Sequence, residues 1–207
     1  LNKKALSKFS QGFFISCQLM HLYNYRTIRM RKDFTFPQPN MRFADLRDVD
    51  ALVQLVNSAY RGESSRLGWT TEADLLDGIR THTEHMAQQI NNDSSLMMVV
   101  VGEENSIHAC VYLEDRDPLL YLGMLTVQPD LQDRGTGKQL LRIAEQYAQF
   151  MGKKGIAMTV ISLRNELIGW YLRNGYHPTG EIQPFPVGQA LGDPRRDLEF
   201  IVLEKIF

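Results

Sequence analysis

The stretch QDRGTGKQLL, residues 132–141, places two glycines, an arginine and a lysine just ahead of an apolar run. It lies between an apolar segment and an amphipathic one, so the glycines fall at the start of a helix. The first N–H groups of a helix have no partner inside it and carry partial positive charge. Glycine has no Cβ and leaves those groups open to a ligand. Arg134 and Lys138 add full positive charges. These residue types at this spacing describe a phosphate or pyrophosphate site at a helix N-terminus. A Walker A loop is excluded, because it needs a glycine where Gln132 stands and a serine or threonine where Gln139 stands. The dinucleotide fingerprint is excluded by Leu140 at the place of its third glycine. Taken alone, the glycines leave a plain strand-to-helix turn open as the alternative.

The wider pattern narrows the ligand. LTVQPDLQDRGTGKQLL, residues 125–141, resembles the acetyl-CoA signature of the GNAT family of N-acetyltransferases, matched here by Val127, Pro129, Gln132, Gly135 and Gly137. A second segment, NELIGWYLRNGYHPTGE at 165–181, resembles the family's Asn…Tyr…Gly-aromatic motif through Asn165, Tyr171, Gly175 and Tyr176. The two motifs come in the family's order, one helix and one strand apart. The resemblance spans roughly residues 41–205 and leaves out the N-terminal stretch.

That resemblance implies a mixed α/β fold: a twisted, mostly antiparallel central sheet of six to seven strands with one splayed parallel pair, flanked by about four helices. It implies acetyl-CoA as cosubstrate, no metal, and transfer of the acetyl group to a primary amine of a small molecule or peptide by direct attack in a ternary complex. Main-chain groups of Leu125, Thr126 and Val127 would hold the pantetheine arm and polarise the thioester carbonyl. The loop of Gln132, Asp133, Arg134, Gly135, Thr136, Gly137 and Lys138 would hold the pyrophosphate, with Asn165 across the gap. Tyr171 would be the general acid, since a phenol can protonate a departing thiolate. The general base stays open. The strand 119–127 has no acid, so Glu114 and Glu72 are the nearest carboxylates, and a water chain is the alternative. Trp69, Tyr121, Arg66 and Phe185 would build the acceptor site, with Arg61 or Arg66 available for an acceptor carboxylate. The missing strand carboxylate keeps a second class of function in play, a non-catalytic acyl-CoA-binding sensor or complex subunit.

The elements that must position these residues alternate along the chain. MRFADL (41–46) reads as a strand. Asp48 can cap the next helix, whose apolar face is Val49, Leu52, Val56 and Ala59. Residues 60–70 read as a loop. Thr71 and Asp74 have capping-box form, and the pattern predicts a helix from there to about residue 90. Residues 95–102 and 107–114 read as a hairpin. Residues 119–127 read as a central strand buried on both faces, with a bulge or close approach at Gly123. A helix over 136–151 ends at Gly152 with Lys153 and Lys154 near its negative pole. A strand over 156–163, a helix over 166–174 and strands over 176–182 and 197–205 complete the pattern.

Composition sets the outer bounds. The chain has 207 residues, 43% hydrophobic and 23% charged, with a net charge of -1. Residues 1–40 carry seven basic side chains and one acid, whereas the remainder is acidic. They are expected to be a flexible N-terminal extension ahead of an acetyltransferase domain at 41–207; a targeting segment is the other reading of so basic a stretch. An acidic body argues against nucleic acid as a partner, and against a nucleotide- or tRNA-binding module as the function. No run is long and apolar enough for a membrane helix. Cys17 and Cys110 stand far apart, which predicts a reducing, cytoplasmic compartment. His82 and His85 are three apart, a spacing that suits a metal, but no third ligand is near them in sequence. A homodimer is compatible with this reading.

Overall fold

The computed structural model describes residues 30–186 and 192–207. The main sheet has seven strands in the order β1-β3-β4-β5-β6-β9-β7. These are β1 (Met41–Phe43), β3 (Ser95–Val101), β4 (Ile107–Arg116), β5 (Leu119–Val127), β6 (Gly155–Ile161), β9 (Glu199–Ile206) and β7 (His177–Pro184). All neighbours are antiparallel except β5 and β6. A separate pair joins β2 (Leu76–Asp77) to β8 (Asp193–Pro194). The helices are α1 (Val49–Tyr60), α2 (Gly62–Ser65), α3 (Thr83–Asn91), α4 (Thr136–Phe150) and α5 (Asn165–Arg173). The expected mixed α/β sheet with one parallel pair is therefore present.

Helices cover both faces of the sheet, which is why β3 is apolar from Leu96 to Val101. Its Leu96, Met98 and Val100 join Leu140, Leu141, Ala144 and Tyr147 of α4 in one core. Its Met97 and Val99 face the other way and join Leu52, Val56 and Ala59 of α1 and Met86 and Ile90 of α3. Helix α4 closes with glycine in the left-handed region: Gly152 has φ +71°, its N–H donates to Gln149 O, and Lys153 N–H donates to Ala148 O. The Lys153 ammonium does not serve the helix end as expected. It is buried against the carboxylates of Asp115 and Asp117.

Four expectations change. The region expected to be one helix from residue 71 is a turn, then β2, and only then α3. Gly78 sits at φ +80°, which halts a right-handed helix, and Leu76 buries itself by pairing with Pro194. The capping box is formed by Asp45 and Asp48 around a short 3₁₀ turn, Leu46–Asp48, while the Asp48 carboxylate is held by Arg42 at 2.6 Å. Strand β5 is not buried on both faces throughout: Leu120, Leu122 and Met124 are buried, but Tyr121, Gly123 and Leu125 alternate with them as half-buried residues. Finally, the part of the N-terminal stretch that is described, residues 30–40, is mostly exposed but makes some contacts with the rest of the fold. Met30 is in the core, Phe34 stacks edge-on against Tyr147 and Phe150, and Tyr147 Oη donates to Arg31 O. The expectations for residues 1–29, Cys17 among them, lie outside the described residues.

The gap that matters lies between β5 and β6. Their ladder has two residue pairs, Leu120 with Ile156 and Tyr121 with Ala157, and stops there. Beyond it β5 carries a bulge: the register against β4 slips by one residue between Cys110 and Tyr112, and Met124 takes φ +44°. A bulge bends the strand and increases its twist. Residues 122–127 are thereby turned away from β6, one residue beyond the glycine expected to mark the irregularity.

Candidate active site

Two cavities meet in this gap. The smaller, about 270 Å³, is walled by the end of β5, the glycine loop and α5. Leu125, Val127, Gln132, Asp133, Gly135, Thr136, Gly137 and Lys138 all line it, as does the indole of Trp69. The loop geometry follows from its residues. Asp133 and Gly135 take φ +60° and +85°, and Gly135 is the residue that starts α4, its carbonyl accepting from Gln139 N–H. The N–H groups of the following turn have no acceptor within the helix. An added Cβ at Gly137 would meet Val127 and Trp170 at 3.7 and 3.9 Å, so hydrogen at that position leaves room on the cavity side. Arg134 borders a third, shallower depression of about 600 Å³ outside the loop, with Lys138 and Arg142. The donor set is one for an anion: open main-chain N–H groups at a helix start, ringed by three cations.

Gln132 has a further task. Its side-chain amide accepts from Trp69 N–H at 3.0 Å and donates to Thr70 Oγ1 at 3.0 Å and to Val127 O at 3.1 Å. A Cβ at Gly68 would collide with that amide at 2.7 Å. The signature glutamine thus staples the 68–70 loop to the end of β5, and carries Trp69 to the loop cavity rather than to the acceptor side expected of it.

The larger cavity, about 680 Å³, opens on the other side of β5. Five residues belong to both cavities: Tyr60, Leu125, Arg164, Leu167 and Tyr171. Tyr171 is 5% exposed and packs edge-on against Trp170 and Tyr176. Burial, reinforced by Tyr60 and Tyr121 and opposed by Arg164, pushes its phenol well above the usual tyrosine range. Tyr60 Oη donates to Leu125 O at 2.9 Å, at the bulge itself. Tyr121 lines the larger cavity, with Oη 3.0 Å from Thr159 Oγ1 and Arg116 stacked 3.8 Å above its ring.

The two carboxylates named from the sequence both line this cavity, in different states. Glu72 is buried and has both oxygens in ion pairs, Oε2 with Arg61 at 2.5 Å and Oε1 with Arg164 at 2.9 Å. Burial alone would raise its carboxyl pKa, but Arg164, Arg80 and Arg61 outweigh burial and hold it below the usual range. A carboxylate so stabilised is a weak proton acceptor, and Glu72 instead ties residues 61, 72 and 164 together. Glu114 is ion-paired to Arg116 at 2.7 Å.

Other residues fall elsewhere. Arg66 is at the surface, paired with Asp74 and Glu63, and lines neither cavity. Arg61 is buried on Glu72. Phe185 is buried at 6% exposure against Phe200, in a small cluster with Leu76 and Ile161. Its neighbours Pro184 and Pro186 reach the cavity, and residues 187 and 188 lie outside the described set. Thr126 is buried with its hydroxyl donating to Met124 O. Asn165 is exposed at the start of α5. The residue before it, Arg164, lines both cavities and donates to Thr70 O at 2.7 Å. Cys110 is buried, its thiol pushed up to about 12 by burial, which rules out a thiolate nucleophile there.

Sequence reasoning missed Tyr60, Arg80 and Arg164, and named His85 only with His82 as a spacing that suits a metal. His85 lines the larger cavity, where burial, then Arg80 and His82, depress its pKa. Its companion His82 is exposed ahead of α3. No three His, Cys, Asp or Glu side chains come together for a metal among the described residues, and no helix there is long and apolar enough to cross a membrane.

The arrangement joins a helix start with open main-chain N–H groups, a strand pulled from its parallel neighbour and a tyrosine at the junction of two cavities. Residues 73–185, more than half of the chain, match the model of the acetyltransferase (GNAT) domain. The chain belongs to the GNAT acetyltransferase family. Solved structures agree on the fold. The ribosomal-protein-alanine N-acetyltransferase from Brucella melitensis is 19% identical, aligned over 81% of this chain and 99% of its own, with a TM-score of 0.60. The ribosomal-protein-S18-alanine N-acetyltransferase from Escherichia coli is 13% identical over 80% and 92%, also at 0.60. The PaiA N-acetyltransferase from Thermoplasma acidophilum, in complex with coenzyme A, is 15% identical over 81% and 98%, at 0.56. No curated protein matches the chain.

Proposed function

We propose that this GNAT protein transfers the acetyl group of acetyl-CoA to a primary amine of a small molecule or peptide, within one ternary complex. The observation that carries this reading is the shared wall of the two cavities. Tyr171 and Leu125 stand where a loop built for an anion meets a separate, charged chamber. When bound, acetyl-CoA supplies an activated thioester. Main-chain N–H groups of residues 135–138 would hold its pyrophosphate, with Arg134, Lys138 and Arg142 at the outer phosphates. The edge of β5 that β6 abandons after Tyr121 would receive the pantetheine arm.

The remaining chemistry belongs to side chains. Tyr171 gives its phenolic proton to the departing thiolate. Burial disfavours phenolate and thiolate alike, so a raised phenol pKa does not by itself defeat the transfer. The acceptor enters as an ammonium and must lose a proton before attack. His85 takes that proton: a neutral imidazole is a better acceptor near pH 7 than a carboxylate held by a guanidinium, as Glu72 and Glu114 are. The buried Glu72 network positions Arg164 beside the shared wall.

Calorimetry with CoA, followed by thiol release over a panel of primary amines, tests the whole reading. Binding together with amine-dependent turnover is the expected result. CoA binding without turnover of any amine would make the chain a non-catalytic acyl-CoA binder, and no binding would end the reading altogether. For the base, His85→Gln should abolish the acidic limb of the kcat/KM profile while Glu114→Gln leaves it in place. The reverse result would move the role to Glu114.

A further inference from the structure

Three arginines line the larger cavity, Arg80, Arg116 and Arg164, and two of them are ion-paired. Arg164 is paired with Glu72, and Arg116 with Glu114. Arg80 differs. Its guanidinium lies 5.7 Å from the centre of the Tyr60 ring on a residue that lines the cavity; its charge helps hold Glu72 ionised from a distance, but no carboxylate lies in ion-pair range of it among the described residues.

The backbone beneath Arg80 is fixed. The side chain of Asn57 accepts from Arg80 N–H at 2.7 Å and from Thr81 N–H at 3.2 Å, and donates to Thr81 O at 3.0 Å. One amide thus clamps residues 80 and 81 to α1. Arg80 thus lines the larger cavity, the proposed acceptor chamber, from a backbone that is held in place.

The charge balance points the same way. Arg80, Arg116 and Arg164 on the cavity wall outnumber Glu72 and Glu114. Such a chamber disfavours the charged ammonium and helps the entering amine give up the proton that attack requires it to lose. A ligand that also brings an oxyanion offsets the excess charge. Guanidinium is suited to this, because its planar fork meets two oxygens of one group.

We propose that Arg80 anchors a carboxylate on the acceptor, so that the substrate class is an amine bearing a carboxylate, such as a free amino acid or the like. This rests on the acetyl-transfer reading for the fate of the amine, but binding of the carboxylate can be measured without it.

The test is calorimetry on the CoA-loaded full chain, with a panel of α-amino acids, their carboxamides and their phosphonate analogues as titrants. The wild-type protein should bind at least one amino acid more tightly than its carboxamide. Arg80→Gln should weaken the carboxylate form by about 10- to 100-fold, the usual range for losing a charged hydrogen-bond partner, and leave the carboxamide within roughly twofold. Arg80→Lys should recover part of the loss, since it keeps the charge without the fork. Affinity for CoA should be unchanged in both variants, which separates this effect from misfolding. Tighter binding of the phosphonate than of the carboxylate would reassign the site to phosphate-bearing amines and overturn the carboxylate claim. Equal loss for acid and amide, or no preference in the wild type, would overturn it as well. Failure to bind CoA would instead strike at the acetyl-transfer reading, and carboxylate binding would still be scored on the unloaded protein.

Discussion

The two glycines of the loop do different work, and substituting each separates folding from ligand binding. Gly137 has an ordinary helical backbone, and a Cβ there would touch Val127 and Trp170 at 3.7 and 3.9 Å, normal contact distances. Gly137→Ala should therefore leave the fold intact, and helix propensity can add up to about 1 kcal/mol of stability. The new methyl group projects between two residues that line the loop cavity. If the N–H groups behind it hold a diphosphate, at least one charge-assisted hydrogen bond is lost, and CoA should bind about 10- to 100-fold more weakly. Gly135 is the opposite case. Nothing lies within 4 Å of an added Cβ, but its φ of +85° is left-handed. Gly135→Ala should cost about 1–2 kcal/mol and lower Tm by roughly 2–8 °C. Thermal melts and CoA calorimetry on both variants give four numbers. A Gly137→Ala protein that melts like the wild type and binds CoA just as tightly would refute the assignment of the loop.

Three further outcomes are expected. Tyr171→Phe should lower kcat by about 10²- to 10⁴-fold, with CoA affinity nearly unchanged, and undiminished turnover would remove the tyrosine from the chemistry. Lys153→Met should destabilise the protein by about 3–5 kcal/mol in denaturant titrations, because the buried Asp115 carboxylate loses its cation; adding Asp115→Asn should restore part of that. Glu72→Gln should also cost about 3–5 kcal/mol by removing the buried negative charge that Arg61 and Arg164 share. The folded-state pKa of Glu72 is depressed below 4.5, so its contribution is present above that pH and is lost as pH falls through the folded value. The wild-type stability curve should fall more steeply below pH 4.5 than that of the Glu72→Gln protein.

How much of this was legible in the sequence depends on how local each feature is. The glycine loop is contiguous, so its residue types and spacing carried the helix start, the anion site and the family together. The splayed strand was marked by Gly123, although the slip in register sits one residue later, at Met124. The larger cavity was only partly legible: Tyr121, Glu72 and Glu114 were named, but its walls come from distant segments and its character depends on pairing. In sequence, Arg61, Arg66 and Arg80 are equivalent surface cations. In the fold the first pairs with Glu72 and the second with Asp74, while the third has no ion pair among the described residues. Residues 71–82 misled for a related reason. An apolar pattern and a capping-box form favoured helix, whereas a left-handed Gly78 and a strand more than a hundred residues away decided otherwise.

Under the proposed reading, the cleft handles an anion at each of its ends by different means. At the loop end, main-chain N–H groups do the holding, and they present the same donors whatever side chains surround them. That is why the loop reads as a family signature. At the chamber end a side chain does it, and one substitution can redirect it. At the centre, Tyr171 and Leu125 stand with Arg164 on the wall that both cavities share. Acceptor choice can therefore diverge between members of the fold while the loop end stays the same. Changing Arg80 should alter which amine is bound without touching the affinity for CoA, whereas a change at Gly137 should do the reverse.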